Sequence, residues 1–313
     1  MSFYLKGRDC MKGTVLDGYT VTLNDLDWGP VKELCELEIF DRTDPEDVAD
    51  RIGDSEAVFI NKIRMTEEIY DACPNLKFVG ELATGYDNAN VQAAKARGIA
   101  VYNVPSYATE PVAQHTMALI LEITNNVGYY TESIHNGAWV RSKDFTFIDR
   151  PLIRLKGMSL GIIGYGSIGR RVAELAEAFG MKVNVYSKDR EAVMKSDIIS
   201  LHCPATPENT GFVNKEFFAS MKDGAILINT ARGALVNEAD LREALESGKL
   251  SAAAVDVVKG EPQSADSPLI GAKNLYITPH LAWSDREARE QIINTSAENL
   301  KSFLKGEDKN RIV

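Results

Sequence analysis

Cysteine and histidine are scarce in this sequence, four of each among 313 residues. Cys10, Cys35, Cys73 and Cys203 are scattered and form no CxxC pair. Such spacing offers neither a disulfide framework nor a zinc site, and it suits a reducing compartment. His115, His135, His202 and His280 are equally dispersed, so no metal is expected. Positive charge is in deficit, with 35 Lys and Arg against 45 Asp and Glu, a net charge of −10. A nucleic-acid surface needs a basic stripe, and the balance argues against one. No run reaches the ~18 apolar residues of a membrane span. The first residues, MSFYLKGRDC, lack the apolar core of a signal peptide. The expectation is a cytoplasmic protein with no nucleic-acid or membrane partner. Solenoid repeats and low-complexity tracts are also missing.

What is present is alternation. VFINK (58–62) and LKFVG (76–80) read as strands, VQAAKARG (91–98) as a helix closed by Gly98, and IAVYNVP (99–105) as the next strand. Glu110 to Asn126 reads as a long helix with Pro111 in its first turn. Its apolar content suits either a spine between domains or subunits or an ordinary core helix. A second series follows: LGIIG (160–164), KVNVYS (182–187), IISLHCP (198–204), AILINTA (225–231), AAAVDVV (252–258) and LYITPHL (275–281), with helical patterns between several of them. Nearly continuous apolar strands separated by helices predict parallel sheets buried on both faces, an α/β fold. At 313 residues the chain is long enough for two domains, since single cores rarely grow beyond ~250–300 residues.

Ligands of open parallel sheets bind beyond the carboxyl ends of the strands. Those ends supply Gly164, Ser187, His202, Arg232, Asp256 with Glu261 shortly after, and His280. Gly164-Tyr165-Gly166-Ser167-Ile168-Gly169 follows a strand and opens the helix RRVAELAEAFG, the context in which GxGxxG reads as a dinucleotide phosphate loop. Arg232 is placed to grip a carboxylate bidentately and polarise an adjacent carbonyl. Glu261 paired with His280 would orient the imidazole and favour its protonated form, which suits proton donation to a ketone oxygen.

Together, CPNLKFVGELATGYDN, VPSYATEPVAQ, LGIIGYGSIG, SDIISLHCP, INTARGALVN, DVVKGEP and TPHLAWSDREAR resemble the D-isomer-specific 2-hydroxyacid dehydrogenases, in the glycerate dehydrogenase or hydroxypyruvate reductase branch. The resemblance runs from about Asn61 to Glu298. It implies a Rossmann-type doubly wound dinucleotide-binding domain, 102–283, and a flavodoxin-like α/β substrate domain built from 1–101 and 284–313. It also implies a homodimer joined partly through the helical region after Thr109. In its terms Arg232 anchors the substrate, Glu261 partners the acid–base histidine, and His280 is that histidine. Ala83, Thr84 and Gly85 match the loop whose amides bind the substrate carboxylate. Nucleotide contacts are assigned to the phosphate loop and to Ser187, Lys188, His202, Cys203, Pro204, Thr230, Ala231 and Asp256. The implied reaction is NAD(P)H-dependent reduction of a small 2-keto acid, hydroxypyruvate or glyoxylate, to the D-2-hydroxy acid, and its reverse. Two alternatives remain: an NAD(H)-responsive corepressor on the same fold, against which stands the lack of extended tails, and a phosphoglycerate dehydrogenase without a regulatory domain.

One stretch, VNVYSKDREAVMKSD (183–197), departs from the pattern. The carboxylate that takes the ribose hydroxyls of NAD usually lies at the tip of this strand. Here Ser187 and Lys188 stand there, with Asp189 two residues late. NADPH is therefore expected to be accepted alongside NADH. Only ten residues, Lys188 to Asp197, separate the strand from IISLHCP, whereas a parallel crossover needs a dozen or more. Either a strand has been lost, exposing a new sheet edge, or residues are missing from the sequence between Lys188 and Glu191. The second is the expectation.

Overall fold

The computed structural model describes residues 10–313, so the expectation drawn from the first nine lies outside the described residues. The chain divides into two compact units, residues 1–108 with 284–313, and residues 109–283. Each contains one parallel sheet.

In the first unit, β1 (Lys12–Val15), β2 (Glu36–Ile39), β3 (Ala57–Ile60), β4 (Phe78–Glu81) and β5 (Ala100–Tyr102) lie in the order β2-β1-β3-β4-β5. This is the flavodoxin-like 2-1-3-4-5 arrangement. The central strands β3 and β4 are buried at every position, as strands covered on both faces must be. The helix Arg286–Lys305 returns to this sheet and sets Phe303 5.4 Å from Phe78, centroid to centroid. Asp285 caps that helix by accepting from the Ala288 N–H at 2.7 Å, and Gly306 ends it at φ 71°.

In the second unit, β6 (Ser159–Ile163), β7 (Lys182–Val185), β8 (Ile198–Leu201), β9 (Ala225–Asn229), β10 (Leu250–Val255) and β11 (Leu275–Ile277) are ordered β11-β10-β9-β8-β6-β7, all parallel. Alternate residues feed two cores. Ile162, Ile198, Ile226, Ile228, Ala252 and Ala254 face the helix Thr109–Asn125 and the helix Ser167–Ala178. Ile199, Leu201, Leu227, Ala253 and Val255 face the opposite layer, with Phe217 and Phe218. Period-two alternation in which both faces are apolar explains why these strands read as nearly continuous hydrophobic runs.

The link of ten residues, Lys188 to Asp197, closes without a further strand, and β7 forms the edge of the sheet. The crossover closes because β7 ends at Val185, which leaves Tyr186 and Ser187 to the link as well. The Val185 carbonyl then accepts both the Lys188 and Asp189 N–H groups at 2.9 Å, turning the chain at once. Asp189 caps the helix Arg190–Met194 by accepting from Ala192 N at 2.9 Å. That helix crosses directly over β6 at Gly161, where an added Cβ would stand 2.8 Å from Val193 Cγ1 and 3.1 Å from the Val193 carbonyl oxygen. Asn184 of the edge strand donates to Ser196 Oγ at 3.0 Å, fastening β7 to the crossover.

Candidate active site

The phosphate loop leaves β6 through Gly164, whose φ of 98° favours glycine. A Cβ on Gly164 would lie 2.4 Å from the His202 carbonyl carbon and 2.5 Å from Cys203 N, so the loop packs directly on the backbone that follows β8. A Cβ on Gly169 would lie 2.1 Å from the Gly164 carbonyl oxygen, which fixes the helix against the strand. At Gly166 the same atom would meet nothing within 4 Å. The helix Ser167–Ala178 thus opens behind a residue with no side chain and with open space in front of it. Its N-terminal amides carry no side-chain cap. This is a cradle that fits a pyrophosphate, with N–H donors and the positive end of the helix dipole aimed at it.

Around that cradle, Ser187 and Lys188 are exposed in the turn after β7. The Lys188 ammonium stands 5.5 Å from the centre of the Tyr165 ring, and the Arg190 guanidinium 5.6 Å from that of Tyr186. The Asp189 carboxylate is occupied as a helix cap. Arg190 was not anticipated, although its position two residues after Lys188 was a readable signal. His202 shares a 2.9 Å hydrogen bond with Ser200 Oγ through Nε2, while its buried Nδ1 has no partner among the described residues. Burial pushes its pKa down to about 4, so the ring is neutral. Burial also raises the Cys203 thiol above its ordinary range. Pro204 is exposed, and its carbonyl accepts from Asn209 Nδ2 at 2.9 Å.

Thr230 and Ala231 lead from β9 to Arg232. The buried Asn229 clips this turn, accepting from Ala231 N at 3.1 Å and donating to the Arg232 carbonyl at 2.9 Å. Arg232 is half-buried, and its Nη1 donates to the Ala231 carbonyl at 2.9 Å. Gly233 follows, and a Cβ there would lie 2.1 Å from the Val258 carbonyl group. The absence of that side chain lets the Arg232 turn close on the segment that runs to Glu261.

Glu261 and His280 meet directly, Oε2 lying 2.5 Å from Nδ1. The other carboxylate oxygen accepts from Val258 N at 3.2 Å. With Nδ1–H given to the carboxylate, the acid–base chemistry of the ring falls to Nε2. His280 adopts a left-handed backbone, φ 53°, uncommon for a residue with a side chain. Its N–H donates to the carbonyls of Asp256 (2.7 Å) and Thr278 (3.0 Å). Asp256 is 1% exposed, and its carboxylate serves the same loop, accepting from Thr278 Oγ1 (2.6 Å), Leu281 N (3.0 Å) and Ala282 N (2.9 Å).

Ala83, Thr84 and Gly85 belong to the first unit, just beyond β4. Their loop is tied to the segment after β5: Thr84 Oγ1 donates to the Val104 carbonyl, and Asn103 Nδ2 donates to that of Thr84, both at 2.8 Å. Beside it, Glu81 is 1% exposed, and among the described residues neither carboxyl oxygen has a hydrogen-bond partner. Burial first, and the nearby charge of Asp17 second, raise its pKa well above the ordinary range. No motif announces this group.

Residues 117–282 match the family described as D-isomer specific 2-hydroxyacid dehydrogenase, NAD binding domain. The chain belongs to the D-isomer-specific 2-hydroxyacid dehydrogenases. It is 46% identical over 314 residues to a hydroxypyruvate reductase of Blautia hydrogenotrophica, covering 95% of this chain and 98% of that one. That alignment is longer than the part of this chain it covers, so the relative carries residues with no counterpart here. A glycerate dehydrogenase of Methylorubrum extorquens is 38% identical over 276 residues, covering 85% and 88% of the two chains. Among solved structures, an NADPH-dependent glyoxylate/hydroxypyruvate reductase of Sinorhizobium meliloti, in complex with NADP and malonate, superposes with a TM-score of 0.81 at 27% identity over 95% of this chain and 94% of that one. The enzyme is thus a nicotinamide-nucleotide-dependent dehydrogenase of the glycerate dehydrogenase/hydroxypyruvate reductase branch.

Proposed function

We propose that the enzyme reduces hydroxypyruvate, and glyoxylate as a smaller analogue, to the D-2-hydroxy acid. The observation that carries this reading is the 2.5 Å Glu261–His280 pair, held on the same unit as the phosphate cradle. The 46% identity to a hydroxypyruvate reductase supports the choice of substrate. When bound, a nicotinamide would supply hydride for the keto carbon. His280 delivers a proton from Nε2 to the carbonyl oxygen, and Glu261 orients the ring and balances its charge. Arg232 holds the substrate carboxylate and stabilises the charge that develops on the carbonyl oxygen. The loop Ala83-Thr84-Gly85 adds backbone amides to the carboxylate, with the first unit acting as substrate domain and the second as dinucleotide-binding domain.

NADPH is accepted alongside NADH. Lys188 supplies a cation for a 2′-phosphate, and the nearby Asp189 is spent on its helix cap. The active form is a homodimer. Val127, Trp139, Val140, Phe145, Ile148 and Leu152 expose apolar surface in one stretch, with Val140 90% and Phe145 88% exposed, and a second copy of the chain would cover it. The enzyme works in the cytoplasm: its four cysteines are all free, and among the described residues no helix is long and apolar enough to cross a membrane.

The test is oxidation of NADH and NADPH with hydroxypyruvate, glyoxylate, pyruvate and 3-phosphohydroxypyruvate. Hydroxypyruvate should give the highest kcat/KM, and His280→Ala should abolish most turnover while nucleotide binding survives. A protein that binds NADH but turns over none of the four would be a corepressor instead, and a preference for the phosphorylated acid would make it a phosphoglycerate dehydrogenase.

A further inference from the structure

We propose that His115, on the helix Thr109–Asn125, is a positioning residue that holds the His280 loop in register through Thr278 and Asp256. The inference rests on the reductase reading for its kinetic consequence, though its geometry stands apart from it.

The hydrogen bonds run in one direction. Thr278 Oγ1 lies 2.6 Å from Asp256 Oδ1 and 3.1 Å from His115 Nε2. A hydroxyl has one proton, and the carboxylate takes it, so Nε2–H of His115 must be the donor to Oγ1. Asp256 in turn accepts the N–H groups of Leu281 and Ala282, the two residues after His280. The direct distance from His115 Nε2 to Asp256 Oδ1 is 3.7 Å, too long for a hydrogen bond, so the effect passes through Thr278.

The loop needs such a restraint. His280 holds a left-handed backbone, which persists only where the surroundings over-determine it. The helix is a suitable brace, since Ala113, Met117, Leu119, Ile120 and Ile123 anchor it in the core of the second unit. The next residue makes a parallel tie. Thr116 Oγ1 donates to the Val112 carbonyl, so its 3.0 Å contact with Thr230 Oγ1 is accepted from Thr230. Adjacent residues of one helix therefore fasten the ends of β9 and β11, the strands that lead to Arg232 and His280. Burial lowers the pKa of His115 against the opposing pull of Asp256, which leaves a neutral ring with the single donor that this arrangement uses.

The test uses His115→Leu, His115→Gln and Thr278→Val in the full-length enzyme. His115→Leu should lower kcat for hydroxypyruvate roughly ten- to hundredfold, because small displacements of an acid–base group are costly, and leave KM for NADH within about twofold. His115→Gln retains an N–H donor and should recover most of the loss. Thr278→Val should match His115→Leu, and the double variant should be no slower than either single one, since both break the same relay. Amide hydrogen exchange at Leu281 and Ala282 should quicken in His115→Leu while β8 and β9 are unchanged. That measurement needs no substrate, so it judges the relay even if the wild-type protein fails to reduce hydroxypyruvate, a failure that sinks only the reductase reading. Wild-type kcat in His115→Leu, additive losses in the double variant, or unchanged exchange at the two amides would overturn the inference.

Discussion

Glu261 Oε2 and His280 Nδ1 lie 2.5 Å apart, and the two residues reach each other from opposite constraints. Glu261 is steadied by the backbone N–H of Val258, and His280 by a left-handed backbone fastened to Asp256. The carboxylate orients the ring and supplies a countercharge when the ring carries a proton. Glu261→Gln keeps the shape and an acceptor for Nδ1–H but removes the charge. It should lower kcat for hydroxypyruvate reduction by roughly tenfold or more while leaving nucleotide affinity intact. Steady-state kinetics beside NADH fluorescence titration checks both halves.

How legible this arrangement was depends on the range of the forces that make it. The strands β6, β8, β9 and β10 were readable because both faces are largely buried, so each is a nearly continuous apolar run. β1 (KGTV) and β2 (ELEI) were not, since four residues with polar positions leave no such signature, and β2 also lies at the sheet edge. Arg232, Glu261 and His280 stood out as polar residues at strand ends, and the family resemblance suggested their roles. The parts that hold them were silent. His115 and Thr278 are 163 residues apart, and no local pattern marks their contact. Nothing in the local sequence shows that Gly233 lets one loop lie on the backbone of another. After β7 the pattern runs on past the element, since Tyr186 and Ser187 continue the strand alternation yet leave the strand to make the turn.

Nucleotide choice should respond to Lys188. Its ammonium lies beside the ring of Tyr165 in the phosphate loop, without an acidic residue at the strand tip to oppose a phosphate. Lys188→Glu places that missing carboxylate and should raise KM for NADPH by about tenfold, with a much smaller change for NADH. Equal changes for the two nucleotides would show that Lys188 does not meet the 2′-phosphate.

The shortened crossover should depend on Gly161. With Val193 Cγ1 2.8 Å and the Val193 carbonyl oxygen 3.1 Å from where a Cβ would stand, the helix has no room to yield without lifting off the sheet. Gly161→Ala is expected to cost about 1–3 kcal/mol of stability, the usual range for overpacking, measured by urea unfolding.

Acid should destabilise the second unit through His202. The folded ring resists protonation until about pH 4, whereas the unfolded ring takes a proton near 6.5. Between those values the unfolded state binds more protons, so stability falls as pH drops, by roughly 3 kcal/mol over the window. His202→Asn should flatten that part of the profile in denaturant melts at about pH 7 and about pH 4.5. An unchanged slope would mean that the buried ring is charged in the folded protein.

Glu81 should act with the opposite sign in the first unit. Its carboxyl is buried with no hydrogen-bond partner among the described residues, and the Asn88 amide is spent on the carbonyls of Asn61 and Ile63. Its folded pKa lies well above 4.5, so the unfolded state loses its proton first as pH rises. Stability contributed by the neutral acid is therefore present below the unfolded value and declines as pH climbs towards the folded one. Glu81→Gln keeps the volume and cannot ionise, so it should remove this decline. Unfolding free energies measured at about pH 5 and about pH 8 should differ less in the variant than in the wild type. The variant should also be the more stable of the two at the higher pH. If wild type and variant fall in parallel, Glu81 is ionised in the folded chain and a cation has reached it.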